Sequence, residues 1–357
     1  MRNLKRVLSL ALALVMMLGM MIIGASAASA DFPDAAEINY TEAVDVISGL
    51  GIMTGDDKGN FNPDSILTRE QAAKIICYTL IGAENADKLG NNTQIFTDVA
   101  AGRWSAGYIA YCANLGILVG DGNGKFRPED YLTGVQFGKM LLVAAGYNAE
   151  TQGYLGADWA TNIATDMIDN DLDIKGVILS DNLKREQAAQ MLLQAMDMDT
   201  VTYTTGNVVG MIGPFPAEET FAEKYFPKLE KIEGVVTANE YADLDSSKPL
   251  RAGKTEIGGK TYTGTTALTD IGESRVGWAN NGKILYLADS GKNTVFQTGA
   301  ATKLDTKFKK ANGIDDDDAE WYVNFGGDND AYDSDYRIEY TLKFADAADV
   351  DEFEDEY

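Results

Sequence analysis

Two arginines in this chain stand where a cation is electrostatically unfavourable, and their surroundings repeat. Arg69 opens the run Arg-Glu-Gln-Ala-Ala, and Arg185 opens the same five residues further along. Both runs fit the first turn of a helix, where the positive end of the helix dipole and unpaired backbone N–H groups disfavour a positive side chain. A bound carboxylate or phosphate would convert that repulsion into attraction. The recurrence favours a ligand site over the alternative in which each Arg pairs with its neighbouring Glu or points into water.

A turn-rich loop precedes the first arginine and returns later in the chain. Residues 55–70 read GDDKGNFNPDSILTRE, and residues 120–136 read GDGNGKFRPEDYLTGVQ. Each copy predicts a chain reversal that feeds directly into a helix, and Gly55 is expected to take the positive φ that ends the preceding helix.

Each loop ends in a helix-start signal. Thr68 is followed three residues later by Gln71, and Thr133 by Gln136, which is the capping-box pattern. Apolar residues at helical spacing precede both loops and follow both signals. The sequence therefore predicts a repeated helix–loop–helix unit.

Three such units follow one another, at residues 31–90, 91–150 and 151–199, because the periodic apolar positions recur in each. The third unit is degenerate. It keeps Arg185 but has a shortened reversal at residues 175–182 that lacks the Gly-Asp pair, the Phe and the Pro of the other loops. We predict an all-α N-terminal part within a multidomain α+β protein.

These units resemble the S-layer homology module, a wall-anchoring repeat of bacterial surface proteins. The shared features are an opening Phe and Asp, the Trp at position 104, the Gly-Asp pair with a later Phe and Pro, and the Thr-Arg-Glu run at a helix start. The resemblance covers residues 32–198, a little under half of the chain. It implies a pseudo-threefold helical arrangement built from one chain. It also implies grooves that bind a secondary cell-wall polysaccharide, often one bearing an acidic pyruvate ketal.

Carried onto this sequence, the resemblance implies particular ligand contacts. Arg69 would meet the carboxylate of the glycan, with Thr68 and Glu70 shaping the helix start. Trp104 would pack against a sugar. The implied ligand-binding residues are Gly55, Asp56, Thr68, Arg69, Glu70, Trp104, Gly120, Asp121, Arg185 and Glu186.

The second unit departs from this pattern. Gly134 and Val135 follow its cap in place of Arg and Glu, so we expect its groove to lack the ionic anchor and at most two grooves to be competent. Its acidic loop does not fit an EF-hand, since Phe126 and Leu132 stand where Gly and Glu are required. We predict no metal, no cofactor and no catalytic residue.

The N terminus predicts export. Residues 1–30 combine three basic residues, an apolar run and small residues that offer cleavage after Ala27 or Ala30. Removal of this signal peptide leaves 27 basic against 55 acidic residues, a net charge of −28. Such a surface repels nucleic acid and anionic lipid, and no second stretch suits a bilayer span. We expect a secreted protein of the cell wall or S-layer without a transmembrane segment.

The side chains available for catalysis are limited. The chain has no His, which excludes a Ser-His-Asp triad, a His-ligated metal and a His general base. Its only cysteines, Cys77 and Cys112, fall on apolar helical faces. We interpret them as buried small hydrophobes rather than as a disulfide, the less favoured alternative.

Beyond the helical units the sequence becomes rich in Thr, Val, Gly and Tyr. Residues 200–229 form a connector with a short helix toward its end, and residues 230–300 a small antiparallel β domain. Gly258-Gly259 and Asn281-Gly282 are its hairpin turns. Residues 301–357 are acidic, with two candidate strands and charge runs that favour solvated chain over a calcium site.

Two functions stay open on the sequence alone. The leading hypothesis is a non-catalytic surface protein that binds an anionic wall polysaccharide and contacts other S-layer subunits. The alternative is an exported polysaccharide hydrolase, because glycoside hydrolysis needs only a pair of carboxyl groups. No carboxylate pair stands in a recognisable cleft, and the C-terminal part is short for that class of enzyme.

Overall fold

The chain divides into an N-terminal helical part, up to Pro227, and a C-terminal part that begins at Lys228. The computed structural model describes residues 29–203, 214–244 and 248–291. The predictions for the signal peptide up to residue 28 and for residues 292–357 lie outside the described residues. Among the residues that are described, no helix has the length and apolar character needed to cross a membrane.

Three helix–loop–helix units make up most of the helical part. Their helices are α1 (Thr41–Gly49), α2 (Arg69–Ile81) with a short α3 (Ala83–Ala86), α4 (Ala106–Asn114), α5 (Gly134–Ala144), α6 (Trp159–Asp169) and α7 (Arg185–Ala195). Two 3₁₀ turns, Ser29–Asp31 and Ala35–Glu37, precede them. The second helix of each unit packs against the first helix of the next, in the pairs α2–α4, α5–α6 and α7–α1. The three units thereby close into a ring.

A cycle of three backbone hydrogen bonds marks the centre of this ring. Leu67 N–H donates to the Leu183 carbonyl at 3.0 Å, Leu183 N–H to the Leu132 carbonyl at 2.8 Å, and Leu132 N–H to the Leu67 carbonyl at 2.9 Å. All three leucines are buried. Each stands two residues before α2, α5 or α7, so the cycle brings three helix N-termini together.

Both predicted capping boxes are present. Thr68 Oγ1 accepts the Gln71 N–H at 3.4 Å, and Thr68 N–H donates to Gln71 Oε1 at 2.9 Å. Thr133 and Gln136 exchange the same bonds at 3.3 and 3.0 Å. The starts of α2 and α5 are therefore fixed by local sequence.

The conformation expected of Gly55 is wrong. Gly51, not Gly55, takes the positive φ that follows α1, at +74°. Gly55 is required for a close approach instead, because a Cβ there would lie 2.9 Å from the Gly59 carbonyl oxygen.

The opening Asp of each of the first two units ties down its loop. Asp34 accepts the backbone N–H groups of Phe61 at 2.9 Å and Asn62 at 2.6 Å. Asp98 makes the same two bonds in the second loop, both at 2.7 Å. A carboxylate that accepts two amides holds the loop in one shape against the helices.

The predicted connector contains a small sheet. Strands β1 (Asp199–Thr202) and β2 (Phe215–Thr220) pair antiparallel, and the short helix α8 (Phe221–Tyr225) follows at the place predicted for a helix. Phe221 is fully buried, and the Tyr225 hydroxyl donates to the Ala144 carbonyl at 2.7 Å. The connector is thus packed onto the helical ring.

The C-terminal part is a closed five-stranded barrel. Its strands are β3 (Leu229–Ala238), β4 (Lys254–Ile257), β5 (Lys260–Thr263), β6 (Ser274–Asn280) and β7 (Lys283–Asp289), in the order β3-β4-β5-β7-β6, with a 3₁₀ turn at Leu268–Asp270. Both predicted hairpin turns are present, with positive φ at all four turn residues. The prediction of an antiparallel domain holds for four of the five strand pairings, and the fifth, between β5 and β7, is parallel and closes the barrel.

Candidate functional site

The two arginines singled out by the sequence occupy matching positions, each held by the loop of a different unit. Arg69 Nε donates to the Phe126 carbonyl at 2.9 Å, and its Nη2 donates to the Val119 carbonyl at 2.9 Å. Arg185 makes the same bonds to the Phe61 carbonyl at 2.8 Å and the Thr54 carbonyl at 2.6 Å.

This pairing corrects the expected composition of the sites. Gly55 and Asp56 accompany Arg185, whereas Arg69 lies against the loop of Gly120 and Asp121. The second unit's loop therefore has an ionic partner, supplied by the first unit. The shortened loop of the third unit does not weaken the Arg185 site, because that site uses the loop of the first unit.

Each guanidinium also stacks on a buried aromatic ring. The Arg69 Cζ lies 4.5 Å from the centre of the Phe126 ring, and the Arg185 Cζ lies 4.9 Å from that of Phe61. Such contacts hold a cation in place without neutralising it. In both arginines, Nε and Nη2 donate the hydrogen bonds described above to uncharged carbonyl groups. Nη1 takes no part in these bonds. Burial lowers the pKa of both guanidinium groups from the usual value.

The amide groups at the helix starts are not open to a ligand, contrary to expectation. Arg69 N–H donates to the Asp130 carbonyl at 2.9 Å and Glu70 N–H to the Pro128 carbonyl at 3.0 Å. The corresponding amides of Arg185 and Glu186 donate to carbonyls of the first unit. Any anion bound here is held by side chains rather than by the backbone of the helix.

The predicted acidic residues of the loops serve the loops themselves. Asp56 Oδ1 accepts the N–H groups of Lys58 and Asn60 at 2.8 and 3.0 Å. Asp121 Oδ1 accepts two loop amides in the same way, and its Oδ2 accepts from the Arg127 side chain at 3.2 Å. Both carboxylates therefore hold their loops in shape, and their contact with a ligand stays a prediction.

The Glu70 carboxylate is buried and bound by other residues of the ring. Arg103 forms a two-pronged ion pair with it, at 2.8 Å to each carboxylate oxygen, and Ser105 Oγ donates at 2.5 Å. Burial opposes ionisation, but these hydrogen bonds lower the pKa of Glu70 below the usual value. The ion pair joins the start of α2 to the segment that leads into α4.

Glu186 has the same role in the third unit, with a neutral partner. Both of its oxygens accept from Asn39, through the backbone N–H at 2.8 Å and the side-chain amide at 3.0 Å. Glu186 is 3 % exposed. Internal donors therefore occupy the oxygens of Glu70 and Glu186, and their contact with a ligand stays a prediction.

A cavity of about 500 Å³ opens beside Arg69. Its wall combines cations, carboxylates and aromatic rings. The polar and aromatic lining residues are Arg69, Asp121, Phe126, Arg127, Asp130, Tyr131, Gln136, Lys139, Tyr154 and Trp159. Tyr131 is 59 % exposed, so an aromatic face is open to solvent at this cavity.

Lys139, in the middle of α5, was not predicted as a site residue. It is only 8 % exposed, and its Nζ donates to the Tyr154 carbonyl at 3.4 Å, a long contact. Burial, together with the nearby charge of Arg69, lowers the pKa of Lys139. Within the described residues no carboxylate forms an ion pair with it. The sequence signal was a lysine between Phe137 and Met140 on the apolar face of the helix.

Trp104 lies apart from this cavity. It is 47 % exposed and packs on Tyr108, with ring centres 6.3 Å apart. Trp159, at the start of α6, lines the Arg69 cavity and was not predicted as a site residue. Both tryptophans stand where the chain enters the first helix of a unit.

The start of α5 has neither cation nor open amide. Gly134 stands in place of Arg, and its N–H donates to the Asp181 carbonyl at 3.3 Å. A side chain there would crowd the Leu179 carbonyl oxygen, 3.0 Å from a Cβ. Two of the three equivalent positions in the ring thus carry an arginine.

The ring is built from repeated helix–loop–helix units, and two of its helix starts carry a partly buried arginine. Residues 31–73 and 95–137 each match the S-layer homology domain. The first and second units therefore contain this domain. The third unit is not part of the match, so the prediction of three copies is supported for two.

Several curated relatives match the same region. The chain is 28 % identical over 212 residues to a cell surface protein of Thermoanaerobacter kivui, covering 58 % of this chain and 27 % of that protein. It is 30 % identical over 131 residues to S-layer protein EA1 of Bacillus anthracis, covering 36 % and 15 %. It is 25 % identical over 144 residues to the middle cell wall protein of Brevibacillus brevis, covering 40 % and 14 %. The chain spans about a quarter or less of the length of these relatives. The domains and relatives together identify a secreted protein of the cell wall or S-layer.

Proposed function

We propose that the helical ring anchors this protein, without catalysis, to an anionic polysaccharide of the cell wall. The ligand group is a carboxylate, such as that of a pyruvate ketal. The protein is displayed at the surface by this contact, and the barrel is available to neighbouring subunits.

The observation that carries the proposal is the pair of cations beside one cavity. Arg69 is held by carbonyls and an aromatic ring, and Lys139 is buried with one long hydrogen bond. A folded protein rarely buries an ammonium group without a counter-ion, because the desolvation cost is large. A carboxylate in the cavity would supply that counter-ion to both residues.

The remaining lining suits a sugar. Tyr131 and Trp159 present aromatic rings beside the two cations, and such rings pack against the C–H face of a sugar. Asp130 and Gln136 add groups that accept or donate hydrogen bonds to hydroxyls. The cavity volume, about 500 Å³, falls within the range of small-ligand sites.

We assign a second site to Arg185 and the loop of the first unit, with Trp104 at its edge. We assign no site to the start of α5, where Gly134 replaces the arginine. On this proposal residues 151–199 are a degenerate third copy of the domain, kept for Arg185 and for closing the ring. Two sites on one chain and a repeating polymer allow both contacts to form at once, which strengthens retention.

Co-sedimentation with purified wall sacculi tests the proposal. A hydrogen bond to a charged group contributes about 1.5–3 kcal/mol, so Arg69→Ala alone should weaken binding about tenfold to a hundredfold. Arg69→Ala with Arg185→Ala should abolish retention at physiological salt. Lys88→Ala is the matched control, because it removes an exposed cation whose ion pair with Glu84 lies on the surface.

Thermal unfolding of each variant separates loss of binding from loss of folding. Pelleting of the double arginine variant at the wild-type level would refute the proposal. Release of reducing sugars from the same sacculi by the wild-type protein would contradict the non-catalytic assignment.

A further inference from the structure

Cys77 and Cys112 meet at the point where two units of the ring pack together. Cys77 lies on α2 of the first unit, and Cys112 lies on α4 of the second. Both are fully buried, and their Sγ atoms are 3.5 Å apart. The thiols are free in the structure.

The contacts of the two thiols are reciprocal. Cys77 Sγ donates to the Tyr108 carbonyl at 3.5 Å, and Cys112 Sγ donates to the Ala73 carbonyl at 3.6 Å. Each acceptor stands four residues, about one helical turn, before the opposite cysteine. The two cysteines therefore face each other directly across the helix crossing. A disulfide needs the sulfur atoms about 1.5 Å closer, a displacement on the scale of side-chain rotation.

We propose that the exported protein carries a disulfide between Cys77 and Cys112, which joins the first helical unit to the second. The protein is secreted, and disulfides persist in oxidising compartments outside the cytosol. The sequence alone disfavoured this bond because it could not show that the two cysteines meet. The inference depends on the helix packing and not on the proposed glycan site.

The chemistry is thiol–disulfide exchange with a disulfide-bearing oxidant. One thiolate attacks the oxidant and releases a thiol, and the second cysteine then displaces the other half as a thiol. Two S–H bonds are lost, one S–S bond forms, and the oxidant is reduced to two thiols. In the folded state, the hydrogen bond with Cys77 and burial raise the pKa of Cys112 well above its usual value. Thiolate is therefore scarce once the helices have packed, so the bond forms while the chain is folding and is afterwards shielded from reductants.

The test uses full-length protein exported by a secreting host and purified without reductant. After unfolding in denaturant, alkylation with iodoacetamide should label neither cysteine, and prior reduction should allow both to be labelled. The intact unlabelled protein should be about 2 Da lighter than its reduced form, because two hydrogens are lost. Protein that is reduced in denaturant and then refolded in reductant should unfold at a temperature about 5–15 °C lower in its helical part, from the constraint on a loop of this length.

The double variant Cys77→Ser with Cys112→Ser is the matched control, and its unfolding temperature should not respond to reductant. Labelling of both cysteines in the exported, unreduced wild-type protein would overturn the proposal. Free thiols could also result from a secreting host that lacks an oxidant. To exclude this explanation, the same protein is refolded with oxidised and reduced glutathione. Two free thiols after that treatment would also overturn it.

Discussion

Replacing Lys139 with Met should make the protein more stable and, at the same time, a weaker binder. Lys139 is 8 % exposed and has one hydrogen bond at 3.4 Å, while the adjacent Arg69 repels it. Met keeps the length of the side chain and removes the charge. If Lys139 served only to stabilise the fold, Lys139→Met would make the protein less stable instead.

The magnitude follows from the cost of burying a poorly satisfied polar group. That cost is about 1–3 kcal/mol, and a charged group lies at the upper end. For a folded part of 150–250 residues, 1 kcal/mol corresponds to about 2–4 °C in Tm. Lys139→Met should therefore raise the Tm of the helical part by about 2–12 °C. Loss of one cationic contact should weaken binding to the wall polysaccharide about tenfold or more.

Differential scanning calorimetry and co-sedimentation with sacculi measure the two effects on the same preparations. Lys88→Ala again serves as the control, since its ion pair with Glu84 is exposed and contributes little. The reasoning is refuted if Lys139→Met lowers the Tm, or if the variant binds sacculi as tightly as the wild type does.

Further predictions concern pH and the loops. The pKa of Lys139 is lowered from its usual 10.5, so its charge costs the folded state stability at neutral pH, and the Tm advantage of Lys139→Met should shrink as the pH rises toward 10.5. The pKa of Glu70 is lowered from 4.5, so its ion pair stabilises the fold above that pH. Glu70→Gln should lower the Tm at pH 7, with a difference that closes as the pH falls below 4.5 in a melting series. Gly120→Ala places a Cβ 2.7 Å from the Lys125 carbonyl oxygen and should destabilise the fold by about 1–3 kcal/mol, whereas Gly90→Ala, with open space around it, should be neutral in the same denaturant titration.

The features that the sequence predicted well depend on near neighbours. Thr68 with Gln71 forms its capping box within one helical turn, and the hairpin at Asn281-Gly282 forms through two adjacent residues with positive φ. The apolar spacing of α5 likewise predicts which residues are buried. Each of these follows from backbone geometry that a short segment sets by itself.

The features that the sequence missed depend on residues far apart in the chain. The Arg69 side chain bonds to Phe126, 57 residues away, and its partner loop belongs to the next unit. Glu70 is buried because Arg103 reaches it from another unit, 33 residues away. The sequence alone places each arginine beside the loop of its own unit. Only the closed ring shows that each arginine binds the loop of another unit. The parallel pairing of β5 with β7 has the same origin, since no local turn connects those strands.

The most direct test of the account is a binding cycle between the arginines and the carboxylates of the polymer. Isothermal titration measures wild type and the Arg69→Ala, Arg185→Ala double variant against the purified wall polysaccharide, before and after its carboxyl groups are reduced to alcohols. If the arginines bind the carboxylates, carboxyl reduction weakens binding of the wild type strongly and has almost no further effect on the double variant. If the losses of binding free energy from arginine substitution and from carboxyl reduction simply add, the arginines do not contact the carboxylates. The proposed anchoring contact would then be wrong.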